Sequence, residues 1–296
     1  MARGYDDEEV KTRLINLLRD SKTGLSGVEV SAGLGINRVT MTKFLNVFAA
    51  EGIIKQKSIG NLNLWLVEEG TEHLQFPDDY FKVQEKYLQF LIDGSESAVY
   101  NLIRNCISSK VNITKLMTEV IIPSIAQTQA LFDGGKIGKS EHQFMNGIIS
   151  RSIQIVNLVH FDQESKKNVI ILSSDSQSVL HTEASSATFR SDGWNVFSLG
   201  DMSSAIDVLF DLDLKKLLTK VWKSKQDLMI ILVFSSTEEG LKFFSESFSS
   251  IKGKSEKNLH LILSGKIGRK TKIRSDLLTD KLEDIIQWSQ TKFENL

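Results

Sequence analysis

The 296-residue sequence predicts a multidomain chain, α-helical in its first half and α/β in its second. Three observations carry that prediction. The length exceeds the usual size of one compact domain. Apolar residues recur at helical spacing through residues 1–160, interrupted by one stretch of period two, "IIKQKSIGNLNLWLV". From Asn168 onward, short apolar runs alternate with amphipathic stretches, the pattern of a parallel sheet covered by helices on both faces. The expected parts are a small helical unit with a hairpin (1–70), a four-helix middle (71–160) and a doubly wound domain (161–296).

Composition narrows the class. Hydrophobic residues make up 41% and charged residues 25%, ordinary for a water-soluble globular chain, and a formal net charge of −1 excludes a globally basic nucleic-acid coat. Cys106 is the only cysteine, so no intrachain disulfide forms, and its expected role is that of a small apolar helix residue. "MARGYDDEEVKTRL" is acidic and lacks the apolar core of a signal peptide, and "LMIILVF" is too short to cross a bilayer. A cytoplasmic protein without membrane contact is expected. Only two prolines occur, Pro77 and Pro123, so boundaries are read from glycine, serine and changes of period.

In the first part, "DDEEVKTRLINLLRD" places acids in an opening helical turn, followed by Val10, Leu14, Leu17 and Leu18 at helical spacing. Ser26 is a candidate cap for a short helix over Val28–Gly33, and Asn37 for a third helix. In that third helix Met41, Phe44, Leu45 and Phe48 form one apolar stripe. The opposite face presents Arg38, Thr40, Thr42, Lys43 and Asn46, side chains that reach phosphates and base edges in a major groove. Two strands then turn at Ile59–Asn61, with Lys55 and Lys57 on the first arm. From Asn37 to Asn63, four cations (Arg38, Lys43, Lys55, Lys57) stand against one acid, Glu51.

This order, and "SGVEVSAGLGINRVTMTKFLNVFAAEGIIKQ" in particular, resembles the winged-helix DNA-binding domain of bacterial and archaeal regulators. The resemblance implies that the Asn37–Phe48 helix enters the major groove of double-stranded DNA and the hairpin contacts the flanking backbone. Asn37, Arg38, Thr40, Thr42, Lys43, Asn46, Lys55, Lys57 and Asn61 are then the candidate DNA-binding residues. A winged helix used only for protein contacts is the alternative.

In the middle part, "FPDDYFKVQEKYLQFLIDG" starts a helix with Phe81, Val83, Tyr87, Leu88 and Leu91 as its apolar set, and three further helical stretches follow. A helical connector of this kind is a common dimerisation element. "VIIPSIAQTQALFDGGKIGKSEHQF" (120–144) resembles the helical cap of cobalamin-binding proteins, found in methionine synthase and in light-responsive cobalamin-dependent repressors. Pro123, the glycines after Phe132 and the pair Glu141–His142 have counterparts in that family pattern. Its tryptophan does not: strict counting puts Leu131 there, and a one-residue deletion puts Phe132. Glu141 and His142 either face a ligand or lie on an ordinary helix surface.

In the last part the expected strands are "NVIILS", "WNVFSLG", "LMIILVF" and "LHLILSG", with a short fifth near Ile273. Helices are expected over Val179–Ser191, Ser203–Lys225 and Thr237–Ile251, and "TDKLEDIIQWSQTKF" closes the chain. No strand runs into G-x-G-x-x-G, so dinucleotide binding has no support. "SDGWNVFSLGDMSSAIDVL", "FSSTEEGLKFF" and "LILSGKIG" resemble the Rossmann-like (flavodoxin-like) domain of cobalamin-binding proteins, and with the cap the likeness runs over roughly residues 80–296. In that family the first strand leads into Asp-x-His-x-x-Gly, whose histidine ligates cobalt from below. Here the stretch is "SSDSQSVLHTE". Counting back from Gly193 puts Ser178 at the histidine position and His181 at the glycine position, whereas alignment on Asp175 puts Gln177 and Leu180 there. Neither register supplies the pair, and hydroxyl or amide groups are poor cobalt ligands beside imidazole.

Three expectations follow for this module. It binds cobalamin without a histidine from the protein; or it binds another small molecule in the same cleft; or it is a ligand-free dimerisation and partner-binding unit. The candidate ligand-binding residues are Phe132, Glu141, His142, Ser174, Asp175, Ser178, His181, Asp201, Ser235, Ser236 and Gly265. No metal site is expected, because the five histidines show no recognised metal spacing, and no catalytic order such as H-E-x-x-H is present. The sequence therefore reads as a non-enzymatic, self-associating, DNA-binding transcription regulator with a ligand-sensing or oligomerisation module. The alternatives are a corrinoid carrier that accompanies a methyltransferase, and a protein-interaction scaffold.

Overall fold

A computed structural model describes residues 6–296 except 20, 22, 61, 68–73, 75, 77, 206–209, 253–255 and 266–272. The chain divides into two compact units, Met1–Val111 and Asn112–Leu296. The helical middle expected over 71–160 is therefore shared between them.

In the first unit α1 (Asp7–Arg19), β1 (Leu25–Ser26), α2 (Gly27–Leu34) and α3 (Arg38–Ala50) precede a hairpin of β2 (Ile54–Ile59) and β3 (Leu62–Val67). The three strands pair antiparallel in the order β1-β3-β2. Local chemistry explains the breaks. The Ser26 hydroxyl accepts from Glu29 N at 3.3 Å while the Glu29 carboxylate accepts from Ser26 N at 2.7 Å, a reciprocal cap that starts α2. Gly35 ends it at φ +67°, a conformation that penalises a Cβ. Asn37 Oδ1 accepts from Val39 N at 2.9 Å and starts α3. One core joins Val10, Leu14 and Leu18 of α1 to Val30, Leu34, Met41, Leu45, Phe48 and Trp65, with Phe44 half-buried against it.

Helices α4 (Tyr80–Ile92) and α5 (Glu96–Ser108) complete this unit and pack on each other. The buried set of α4 is Tyr80, Val83, Gln84, Tyr87 and Leu91. Phe81, expected inside, is 72% exposed. Tyr80 is in phase with Val83, Tyr87 and Leu91, and Phe81 lies about 100° round the helix from that stripe. Cys106 is fully buried in α5, where burial pushes its thiol up to about 12.

The second unit opens with one long helix: α6 (Ile113–Lys115), a wide π turn (Leu116–Ile121) and α7 (Ile122–Asp133). Pro123 sits at the start of α7. Lacking an N–H and crowding the carbonyl four residues back, proline fits where the preceding turn is wide. Helix α8 (Lys139–Asn157) follows and packs against α7.

The sheet follows: β4 (Lys167–Ser173), β5 (Asn195–Asp201), β6 (Leu228–Phe234), β7 (Leu259–Ser264) and β8 (Leu277–Leu278), all parallel, in the order β5-β4-β6-β7-β8. β4 and β6 are almost wholly buried, as their unbroken apolar runs require, whereas β5 is an edge strand and half-exposed. One face carries Ile170, Leu172, Ile231, Val233, Leu261 and Leu263 against α10 (Phe210–Val221) and α11 (Glu238–Ile251). α9 (Val179–Ser191) and α12 (Leu282–Glu294) pack on the sheet from other positions in the sequence, and α8 packs on α9. The order reverses between β4 and β6, and in sheets of this kind ligands sit beyond the strand ends at such a reversal.

Two expected elements move. The helix placed over Ser203–Lys225 is, among the described residues, a 3-10 turn at Ser203–Ala205 and then α10. The fifth strand is at Leu277–Leu278, not near Ile273: Asp276 N donates to Leu261 O and Asp276 Oδ2 accepts from Leu261 N, each at 2.9 Å, fixing pairing just after Asp276. Ile273 packs on the core instead. No helix among the described residues is long and apolar enough to cross a membrane.

Candidate functional site

At the reversal point the polar residues picked from sequence do converge, and they converge on one carboxylate. Asp175 follows β4. Its Oδ1 accepts from Ser178 N at 3.0 Å and Ser178 Oγ at 2.9 Å, which caps the short 3-10 turn leading into α9. Its Oδ2 accepts from Ser236 N at 2.8 Å, and lies 3.0 Å from Ser174 Oγ and 3.3 Å from Ser235 Oγ. Ser174 Oγ in turn lies 2.6 Å from Ser235 Oγ. Ser174 N donates to Phe234 O, and Ser235 N to Ser264 O, so the loops continue the ladders of β4, β6 and β7 beyond the strand ends.

This network closes the loops onto each other. Ser174, Ser178 and Ser235 are about 5% exposed. Burial alone would raise the Asp175 carboxyl; the hydrogen bonds from Ser236, Ser178 and Ser174 outweigh it and hold the group below the usual carboxylate range. Gly240, in the first turn of α11, comes so close that a Cβ would lie 2.5 Å from both Ser174 Oγ and Ser235 Oγ. Gly265 is equally tight, with a Cβ position 2.4 Å from Ser235 O. Thr237 caps α11 through Gly240 N at 3.2 Å, while its carbonyl accepts from Ser235 Oγ at 2.9 Å. Thr237 and Gly240 were not among the expected site residues. Their sequence signal is a Thr three residues before a Gly at a strand-to-helix step.

The remaining expected residues sit apart from this knot. His181 lies in the first turn of α9, half-buried, with its ring centroid 6.3 Å from that of Phe234. Burial lowers its pKa, against the pull of the Asp175 carboxylate, so the imidazole is neutral near pH 7. Asp201 ends the edge strand, exposed, and accepts from Ser203 N at 2.9 Å. Among the residues expected at the cap, Phe132 and His142 stack on each other at 4.7 Å and 5°, joining α7 to α8. Glu141 is exposed, and its carboxylate accepts from Gly138 N at 3.4 Å at the start of α8. Further down, Ser150 of α8 donates to Glu183 of α9 at 3.0 Å; Glu183 Oε2 is buried with no partner among the described residues, and burial raises that carboxyl despite bonds from Ser150 and Gln154.

The second candidate surface is α3 and the hairpin in the first unit. Met41, Leu45 and Phe48 are buried, whereas Arg38, Thr42, Lys43 and Asn46 are exposed. Lys43 and Asn46 are opposite the buried stripe, and Arg38, expected with them, is instead at its edge, three and seven residues before Met41 and Leu45. Asn37 is exposed but used as the cap, Thr40 is half-buried, and the Thr42 hydroxyl donates back to Arg38 O at 2.8 Å. Lys55 and Lys57 are exposed on β2, two residues apart and so on one face. Asn61 lies outside the described residues. The surface also holds Val39 and Val47, 69% and 50% exposed, which share a helix face with Lys43.

No protein-family model matches the chain, and no curated protein matches it in sequence. Its fold is similar to that of the monomethylamine corrinoid protein of Methanosarcina barkeri, with a TM-score of 0.56 and 10% identity, over 73% of this chain and 99% of that one. The methanol:cobalamin methyltransferase complex MtaBC of Methanosarcina barkeri matches at 12% identity over 76% of this chain and 87% of that one, but its TM-score of 0.33 supports no further comparison. The likeness to the corrinoid protein establishes a fold: helices followed by a parallel five-stranded Rossmann-like sheet.

Proposed function

We propose that this chain is a DNA-binding regulator in which a corrinoid-protein-type unit serves sensing or assembly rather than cobalt chemistry. One observation carries the reading: α3 buries one stripe while exposing Arg38 at its edge and Lys43 and Asn46 opposite it, and Lys55 and Lys57 are exposed on the strand that follows. That layout suits a helix laid in a major groove with a winged-helix hairpin on the flanking phosphates. A second copy of the chain would supply the second half-site, since one helix neutralises few phosphates.

The residues at the sheet reversal do not fit a corrinoid held through a protein imidazole. Ser178 occupies the ligand position in one register and Gln177 in the other, Asp175 is occupied by Ser174, Ser178, Ser235 and Ser236, and Leu180 is buried where the family's glycine leaves room. No chemical step is therefore assigned to that group here.

A second reading is a corrinoid carrier that works beside a methyltransferase. Its support is the fold likeness to the monomethylamine corrinoid protein, which favours it at least as well as the first reading. The discriminating experiment has two measurements. Fluorescence anisotropy with short genomic duplexes at low salt reports DNA binding; affinity unchanged in the Arg38→Ala/Lys43→Ala variant sinks the first reading. An absorption spectrum after incubation with hydroxocobalamin in the dark and desalting tests the second, and a colourless protein sinks it.

A further inference from the structure

We propose that a cavity in the first unit, between the start of β2 and α5, binds a phosphate-type anion. The cavity is about 320 Å³ and is walled by Gly52, Ile54 and Lys55 on one side and by Ser97, Tyr100, Asn101 and Arg104 on the other. This volume is at the lower end of pockets that hold small ligands, about 300–1,000 Å³. It admits a phosphate or pyrophosphate head group.

Charge points to an anion. Lys55 and Arg104 both line the cavity, and no carboxylate is among its lining residues. Arg104 presents a planar fork of donors matched to phosphate oxygens, and Lys55 a mobile point charge. Ser97, Tyr100, Asn101 and Arg104 recur at helical spacing, so α5 turns one polar face to the cavity. The Tyr100 hydroxyl donates to Glu96, so it is not offered to the cavity, whereas Ser97 and Arg104 line it with donors. Lys55, Tyr100 and Asn101 are each held by further contacts of their own.

The helix ends agree. Ser97 lies in the first turn of the 13-residue α5, the end with positive partial charge. Across the cavity is the last turn of α3, where carbonyls would repel an anion. Those carbonyls are occupied: Val47 O by Glu51 N at 2.9 Å, Phe48 O by Ile53 N at 2.9 Å and Ala49 O by Gly52 N at 3.1 Å.

The same chemistry comes from a free small anion or from a phosphate of a DNA backbone; only the second source rests on the DNA-binding reading. The test uses the full chain, calorimetric titration with pyrophosphate, and anisotropy with duplex DNA. Arg104 is exposed, so Arg104→Gln leaves the core intact, and a thermal melt verifies this. Arg104→Gln is expected to weaken pyrophosphate at least tenfold, Arg104→Lys less, and Lys220→Gln on α10 of the second unit not at all. Should pyrophosphate fail to bind while Arg104→Gln lowers duplex affinity and its salt slope by about one, the phosphate is the DNA's. Arg104-dependent pyrophosphate binding without any duplex binding keeps the site and removes the DNA reading. Indifference of both ligands to Arg104→Gln overturns the proposal.

Discussion

Two polar surfaces of this chain, one built of serines around a carboxylate and one of cations on a helix, have opposite fates. At the sheet reversal, Ser174, Asp175, Ser178, Ser235 and Ser236 bond one another, with Ser174, Ser178 and Ser235 buried, Asp175 half-buried and Ser236 exposed. On α3, Arg38, Lys43 and Asn46 point outward from a helix whose other side is core. A buried polar group must find a partner, and if the fold supplies it, no donor or acceptor is left over for a ligand. An exposed cation on a regular helix costs the fold little and contributes little to it, so its surface placement is open to use by a partner. Position in the fold marks the first surface as a ligand site, while its hydrogen bonds already tie Asp175 to the serines around it.

Asp175 is where this contrast is most easily broken. If the knot is structural, Asp175→Ala strands the donors of Ser178 and Ser236 and destabilises the second unit by about 3 kcal/mol, measured by urea unfolding. Gly240→Ala is expected to act in the same direction, because its Cβ would meet Ser174 Oγ and Ser235 Oγ at 2.5 Å. A stable Asp175→Ala protein would mean that the carboxylate is held in reserve for a ligand, and the mouth would again be a binding site.

The α3 surface should respond the other way. Arg38→Ala/Lys43→Ala is expected to leave stability within about 0.5 kcal/mol of the parent. In the DNA-binding reading, duplex affinity falls on the order of tenfold and the slope of log affinity against log salt falls by about two. Equal slopes for parent and variant would show that these cations touch no phosphate. Val39→Ala sharpens the same point. It removes an exposed methyl pair that suits a thymine methyl, so it should change sequence preference while leaving the salt slope alone.

How much of this was legible depends on the range of the interaction. Interior strands β4 and β6 are read from "NVIILS" and "LMIILVF" because a strand buried on both faces must be apolar throughout. Ser26 and Asn37 are read as caps because their partners, Glu29 N and Val39 N, are three and two residues away. The bond from Ser236 N to Asp175 spans 61 residues, so the sequence shows both groups but not that each occupies the other. The Phe132–His142 stack likewise depends on how α7 meets α8. Phe81 fails for a local reason: it is as apolar as its neighbours, and only the phase set by Tyr80, Val83, Tyr87 and Leu91 turns it outward.

A smaller effect separates cap from contact at Asn37, which belongs to the α3 surface yet is bonded to Val39 N. Asn37→Ala is expected to cost about 1 kcal/mol of first-unit stability. Asn37→Ser preserves the cap. If Asn37 serves only the helix, the Ser variant keeps parental duplex affinity; a loss in the Ser variant assigns Asn37 to the partner as well.

The finest distinction concerns His181, which stands beside the knot without bonding into it. Its folded pKa is lowered, first by burial and against the attraction of Asp175, so below about pH 6.5 the unfolded chain takes up the proton more readily than the folded one. The stability it contributes is complete above that pH and is lost as pH falls through the depressed folded value. Asp175, also lowered, acts in a separate window: its contribution is present above about pH 3.9 and disappears only in stronger acid. Unfolding midpoints of the second unit should therefore decline gently from pH 7 toward 5, and His181→Gln should flatten that decline while leaving the acid limb below pH 4 unchanged. Were His181→Gln to leave the decline as steep as in the parent, the imidazole would be solvated in solution. The closed arrangement at the sheet reversal would then end at Asp175 instead of extending to the first turn of α9.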